Sequence, residues 1–233
     1  MNFFFINNEK YRIEWIHSVL KNIPNNQSIL DAWAGELQYK KFCTHLQYTS
    51  QDFNQYDGKW DNMAGQMWNW ARSTDITSDI VSIPVSDSSF DNILCTEVLE
   101  HIPYPDRAIW EFSRILKTWG QLIITAPFCS MTHFSPYYFA NGFSEYWYKK
   151  ILEENNLKIT TLVKNGNYFN YLEQESTRLP LMVKRYCSTN LLLFGFVWFF
   201  SIMQILLLKY LSTLDKKSNE MLYFGTHIIA IKN

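Results

Sequence analysis

Glycine is scarce in this chain, with 8 in 233 residues, about half the ~7% usual in globular proteins. Few positions are therefore free for left-handed dihedrals or for close backbone approach to a ligand. Tryptophan, at 9, is correspondingly abundant. An excess of charge of one sign is also missing: the net charge is −1 and charged residues make up 18%. That leaves no electrostatic footprint for nucleic acid. The four cysteines, Cys43, Cys95, Cys129 and Cys187, lie far apart and lack metal-ligand spacing, so the reading is a reduced, intracellular protein with no metal cluster. The opening Met1-Asn2-Phe3-Phe4-Phe5-Ile6 is too short for a secretory signal and has no basic start. No repeat or low-complexity tract is present.

Apolar periodicity carries the organisation. Residues 9–22 place Ile13, Trp15, Ile16, Val19 and Leu20, with Tyr11, roughly on one helical face. Residues 28–31 then read as a strand ending on Asp31, 36–43 as a helix, and 45–51 as a second strand ending at Asp52. A polar, tryptophan-rich connection over 58–73 leads to residues 75–79. Strands are expected at 92–96 and 121–126, with an amphipathic helix at 105–117 between them that turns Ile109, Phe112, Ile115 and Leu116 inward. A helix at 143–155, a strand at 158–163, a long apolar segment and a last strand at 222–232 complete the chain. Strands alternating with helices at this spacing predict an α/β fold with a mostly parallel sheet.

In such sheets ligands bind beyond the carboxyl ends of the strands, where the strand order reverses. The polar residues expected there are Asp31 and Gly35, then Asp52, Asp79, Glu97 and Thr125, which together form an acidic rim. A dinucleotide pyrophosphate would be repelled by Asp31 and Glu36 at the helix start that should hold it. The third glycine of the dinucleotide fingerprint is also absent, since position 37 is Leu37. A cationic cofactor fits better. S-adenosylmethionine carries a sulfonium and an amine near the first turn, and its ribose diol and adenine amine both seek acceptors.

At this point the chain resembles the class I S-adenosylmethionine-dependent methyltransferases of the type 11 group, over residues 27–173 and again over 222–232. The run Ile-Leu-Asp-Ala-Trp-Ala-Gly-Glu at 29–36 looks like the family's first motif. Asp52, 21 positions after Asp31, matches its ribose-binding acid. Asp79-Ile80, with Ile83-Pro84 and Ser89-Phe90-Asp91, matches the adenine side. Glu97-Val-Leu-Glu-His101-Ile-Pro, Glu111-Phe-Ser-Arg114 and Gly120 through Pro127 match the later motifs in order. The resemblance implies a Rossmann-like, doubly wound sheet of seven strands, mostly parallel with the last antiparallel. It also implies a donor site made of Asp31, Ala32, Trp33, Gly35, Asp52, Asp79, Ile80 and Glu97. Each acid has a plainer role, as a helix cap or solvated turn residue, and for Asp52 and Asp79 only the register with Asp31 reverses it. Glu100 is expected to face solvent or cap a helix.

The implied chemistry is a direct methyl displacement in which the protein supplies mainly proximity and orientation. A hydroxyl acceptor would benefit from a base. His101 and His133 are the candidates, each with a structural role as the alternative. Tyr137 and Tyr138 are expected to wall an acceptor pocket or simply to pack. The acceptor itself, whether a small molecule, a glycan or a lipid-linked group, is not written in these residues, and neither is the oligomeric state.

Trp33 does not fit this motif. The family has glycine there, and an indole would fill the space that the methionine part of the donor needs. Trp119 stands where a Gly-Gly turn is usual, and Trp60 follows Asp57-Gly58-Lys59. Tryptophan at glycine-like turns in a glycine-poor chain suggests one cause: UGA codons that the source organism reads as glycine, translated here as tryptophan. The competing reading is a genuine Trp33 and a non-catalytic pseudomethyltransferase; a loop displaced around the ring is the third. Trp15, Trp110 and Trp147 read as helix core residues.

Residues 191–208 are interrupted only by Gly195, Ser201 and Gln204. As a helix they would span about 27 Å, close to a ~30 Å hydrocarbon layer. Lysine and arginine flank both ends, so orientation is not biased. A single crossing would strand the last β-strand on the far side. An interfacial or re-entrant helix is therefore expected first, a buried or dimer-forming hairpin second and a span last. The expected organisation is an N-terminal helix (1–27), a core (28–173), an apolar helical insert (174–220) and a final strand (221–233). The expected location is the cytoplasm, against the inner face of the membrane.

Overall fold

The computed structural model describes residues 7–56 and 74–233. The chain divides into two compact units, residues 12–163 with 225–233, and residues 1–11 with 164–224. Trp60 and the whole tryptophan-rich connection, residues 58–73, lie outside the described residues.

In the first unit, α1 (Asn7–Lys21) leads to β1 (Ser28–Ala32), β2 (Gln47–Asp52), β3 (Ile76–Thr77) and β4 (Phe90–Thr96). There follow α2 (Pro105–Ile115), β5 (Leu116–Pro127), α3 (Glu145–Glu154), β6 (Leu157–Asn165) and, at the end of the chain, β7 (Gly225–Lys232). The sheet has seven strands in the order β3-β2-β1-β4-β5-β7-β6. The strands from β3 to β5 pair in parallel, and β7 runs antiparallel to β5. The order reverses between β1 and β4, so the crevice that such sheets offer a ligand opens beyond Ala32 and Thr96.

Strand residues alternate between two buried faces, as a covered parallel sheet requires. Leu30, Ile93, Cys95, Leu122 and Ile124 pack with Ala108, Ile109, Phe112 and Ile115 of α2 and with Tyr148 and Leu152 of α3. Ile29, Leu94 and Ile123 face the other way, against Ile16 and Leu20 of α1. Pro105 at the start of α2 sacrifices no intrahelical bond there. The Ser144 hydroxyl accepts from the Trp147 amide and caps α3. Lys232 donates to the carbonyls of Ser113 and Leu116, both at 2.7 Å, and ties β7 to the end of α2.

Three expectations are corrected. Residues 36–43 form turns and a short 3₁₀ segment, Lys40–Phe42, instead of a helix. Gly35 and Leu37 both have φ above +50°, which stops helix propagation after β1. Trp110 is 59% exposed, because the inward stripe of α2 already runs through Ala108, Ile109, Phe112 and Ile115. Glu100 is fully buried on the 3₁₀ turn Leu99–His101, and neither faces water nor caps a helix.

The second unit is a helical pair, α4 (Tyr168–Tyr186) and α5 (Leu191–Thr213). Asn167 and Asn170 form a capping box at the start of α4. The side chains of both also donate to the Ser212 hydroxyl near the end of α5, at 3.1 and 2.9 Å. The start of α4 therefore lies beside the end of α5. Lys209 lies 3.6 Å from Glu173. Ser201, Ile205 and Leu208 form the buried side of α5, while Leu191, Leu192, Phe196, Trp198, Phe199 and Leu207 are exposed. This helix is long and apolar enough to cross a membrane, and little of it is buried. Within a single chain, that exposure shows that α5 is not a buried core helix.

Candidate functional site

The loop after β1 is held by β2. The amide of Trp33 donates to the Gln51 side chain at 3.1 Å, that of Ala34 to the Gln51 carbonyl at 2.9 Å, and that of Gly35 to Asp52 Oδ2 at 3.0 Å. Asp52 also accepts from the Asn54 amide at 2.8 Å. The carboxylate expected to hold a ribose thus shapes the first loop as well. Gln51, absent from the sequence reading, makes two of the loop's contacts, and its side-chain amide donates to the Ser78 carbonyl at 2.7 Å.

Asp31 and Asp52 are both buried and sense each other's charge. Burial, partly offset by the Tyr48 hydroxyl at 2.6 Å and reinforced by Asp52, lifts Asp31 to about 7. Asp52 is also raised by burial, against the lowering effect of the amides of Asn54 and Gly35. Asp79 accepts from the Val81 amide at 3.1 Å, and with Ile80 it lines a cavity of about 310 Å³. Trp33, Phe53, His101 and Tyr137 line the same cavity. Ala32 is buried in β1 below it. Glu97 holds a left-handed φ of +53° and pairs with Arg12 of α1 at 2.9 Å. Periodicity on α1 gives no signal for an arginine reaching a strand end. Thr125 is fully buried and its hydroxyl has no partner among the described residues.

Trp33 adopts φ +59° and Trp119 φ +64°. That region is natural to glycine and a marked outlier for a bulky side chain. Leu37 and Phe134 share it, whereas the described helical tryptophans do not. The Trp33 ring meets Phe53 edge-on at 4.7 Å, Phe134 at 6.1 Å and His101 at 6.2 Å. Its buried indole N–H has no acceptor among the described residues, and a buried donor left unpaired costs about 1–3 kcal/mol.

The two candidate bases stand together, ring centroids 4.6 Å apart. His101 Nδ1 meets the Tyr137 carbonyl at 2.7 Å, and His133 Nδ1 meets the Met131 carbonyl at 2.9 Å. Burial, with a smaller effect from His133, depresses His101 to about 3. It is therefore a poor proton acceptor near neutral pH. Burial together with the charge of Glu97 pushes Glu100 well up from the ordinary carboxylate range.

Residues 37–124 match the model of a methyltransferase domain. That match covers a little over a third of the chain. An uncharacterised protein of Methanocaldococcus jannaschii, MJ0638, is 45% identical over 49 residues, 21% of each chain, so the alignment spans about a fifth of that relative's length. The phosphoethanolamine N-methyltransferase 2 of Haemonchus contortus, solved with S-adenosyl-L-methionine, superposes with a TM-score of 0.53 at 14% identity, covering 95% of this chain and 52% of that one. The [4+2]-cyclase SpnF superposes with a TM-score of 0.56 at 16% identity, covering 95% of this chain and 80% of that one. At these identities the likeness concerns the fold of the methyltransferase domain. A cyclase among such folds makes the point that chemistry resides in the site.

Proposed function

We propose that this methyltransferase domain transfers a methyl group from S-adenosylmethionine to an acceptor bound in the cavity beside His101. One observation carries the reading: Asp31, Asp52 and Asp79 stand at successive strand ends, and Asp79 and the neighbours of Asp52 line one hollow. When bound, the donor supplies a sulfonium methyl that leaves behind a neutral thioether. Asp31, ionised, would meet the positive charge of the donor's amino acid part, Asp52 the ribose diol, and Asp79 with Ile80 the adenine. Ala32 and Gly35 provide the close backbone, and Glu97, paired with Arg12, supports the turn after β4. In an in-line displacement the acceptor lone pair forms the new bond to the methyl carbon as the carbon–sulfur bond breaks, and a hydroxyl acceptor also gives up its proton. His101 and His133 are the groups near that proton.

Of the residues expected to hold the donor, Trp33, Asp79 and Ile80 line the cavity, and Trp33 conflicts with the donor because its indole occupies the turn. The reading therefore includes glycine as the native residue at positions 33 and 119, encoded by UGA. A second reading rests on the same ring: if Trp33 is genuine, its indole takes the place of the donor's methionine part and the chain is a pseudomethyltransferase. Calorimetric titration of S-adenosylmethionine into the chain and into Trp33→Gly separates the two. Binding gained only by the glycine variant supports transfer, and binding by neither overturns it. UGG at codons 33 and 119 would end the miscoding account.

The exposed apolar surface of α5 supports a lipid-facing position for the helical unit, and with it a lipid-linked acceptor over a glycan or a soluble metabolite. Its apolar residues surround the axis, which favours insertion of the helical pair over a one-sided interfacial helix. Because the start of α4 lies beside the end of α5, the chain would enter and leave a lipid layer on one side. Sedimentation with anionic vesicles checks this. Leu192→Glu together with Phe199→Glu abolishes co-sedimentation, and an unchanged bound fraction rejects the lipid-facing position.

A further inference from the structure

Three groups from two loops, Glu100 and His101 from one and His133 from another, converge beside the cavity that His101 lines. Glu100 and His101 lie on the 3₁₀ turn after β4, and His133 lies on the loop after β5. One ligand atom from each comes within 4.8 Å of the other two. The environment of these atoms is unusual. A carbonyl oxygen only accepts, so His101 must carry its proton on Nδ1, facing Tyr137, and His133 must carry its own on Nδ1, facing Met131. In the neutral rings both Nε2 atoms are then bare lone pairs. They face the same oxygen, Glu100 Oε1, at 3.5 and 4.0 Å. The Glu100 side chain is buried from water, and neither of its oxygens has a hydrogen-bond partner among the described residues.

Acceptors facing acceptors in a dry site repel unless something positive stands between them. A single proton can bridge one pair of these atoms, whereas a divalent cation serves all three. We propose that Glu100, His101 and His133 form a binding site for a first-row divalent transition metal, with Zn²⁺ as the reference ion.

The ligand chemistry selects this class: two imidazoles and a carboxylate suit zinc, iron or cobalt, while magnesium and calcium prefer all-oxygen shells. Tetrahedral bonds of ~2.0–2.1 Å put donor atoms roughly 3.4 Å apart, so the observed spacing closes with small side-chain movements. Both imidazoles also have the outer hydrogen bond, Nδ1–H to a backbone carbonyl, that fixes a metal-binding ring and its tautomer. Three protein ligands leave at least one position open for an acceptor group, and His101 is the ligand that also lines the cavity. A hydroxyl coordinated there would surrender its proton at a lower pH than in water, which removes the need for His101 to act as the base. That role rests on the methyl-transfer reading, but metal binding itself does not.

The test uses the full chain stripped of metal by dialysis and titrated with Co²⁺, following visible absorption, with Zn²⁺ as competitor. The expected result is one equivalent bound with the intense absorption of low-coordinate cobalt. Glu100→Gln and His133→Ala should each weaken binding by at least the ~10–100-fold that loss of even an outer partner costs, with circular dichroism unchanged. His101→Ala is not relied upon, because that ring is packed in the core. An absence of cobalt absorption, or equal affinity in the parent and both variants, overturns the site and leaves Glu100 as a buried neutral acid. S-adenosylmethionine binding to Trp33→Gly in the presence of a chelator reports separately on the donor site, so failure of one reading is distinguishable from failure of the other.

Discussion

The turn after β1 and the turn within the first residues of β5 share a local conformation and differ in everything around it. Trp33 and Trp119 both sit near φ +60°, which costs a non-glycine residue roughly 1–2 kcal/mol. Trp33 recovers part of that cost by packing against Phe53, Phe134 and His101, and forfeits part through an orphaned indole N–H. Trp119 is 75% exposed and recovers almost nothing. The next residue, Gly120, has no room for a side chain, since an added Cβ would lie 2.7 Å from the Lys117 carbonyl oxygen. Packing therefore does not explain tryptophan at both places. What the two turns have in common is a backbone suited to glycine, and the comparison separates a residue that occupies a site from one that only strains a turn.

Donor binding should distinguish the turns most. Trp33→Gly is expected to raise S-adenosylmethionine affinity at least a hundredfold, about 2.7 kcal/mol, while Trp119→Gly leaves it unchanged. Equal responses in calorimetry would break the assignment of the first turn to the donor.

A second contrast is the buried carboxylate beneath the first turn. Asp31 titrates at about 7 in the folded chain, above the ordinary 3.8, so the folded state holds its proton more tightly than the unfolded state. Its contribution to stability is full below pH 4, falls as pH rises toward 7 and is flat beyond, a loss of up to about 4 kcal/mol. Urea unfolding of Asp31→Asn across that range should lack this slope, and an unaltered slope would mean that Asp31 ionises freely. Donor affinity in Trp33→Gly should run the opposite way and strengthen from pH 6 to 8, because the cationic amine needs the ionised carboxylate.

Smaller still is the strain at the second turn. Trp119→Gly should stabilise the fold by about 1–2 kcal/mol in urea, and Trp119→Ala by no more than a few tenths, since alanine keeps the disfavoured φ. A larger gain from alanine would show that ring size matters there more than backbone conformation.

Much of the architecture was legible along the chain. The short apolar runs of β1, β4 and β5 and the apolar stripe of α2 stand in the residues themselves, and β7 is visible as a terminal β-branched run. Residues 36–43 were misread because a helical pattern of side chains cannot report that Gly35 and Leu37 turn left-handed. Asp31, Asp52 and Asp79 could be collected from strand ends, whereas Arg12, Gln51 and Phe53 could not. Those residues reach the site from a helix and from strand positions that carry no motif. Glu100 was misplaced for a related reason: a glutamate beside a histidine on a short turn gives no sign of which way it faces.

By itself the sequence determined the order of elements, the acidic strand ends and the conflict at Trp33, because periodicity and motif spacing are local properties of the chain. Only the tertiary structure decided that both suspect tryptophans have glycine-like dihedrals. It alone brought Glu100, His101 and His133 together across two loops and left the outer side of α5 uncovered. Burial and orientation depend on what the rest of the chain packs around a residue, and that is set once the sheet has formed.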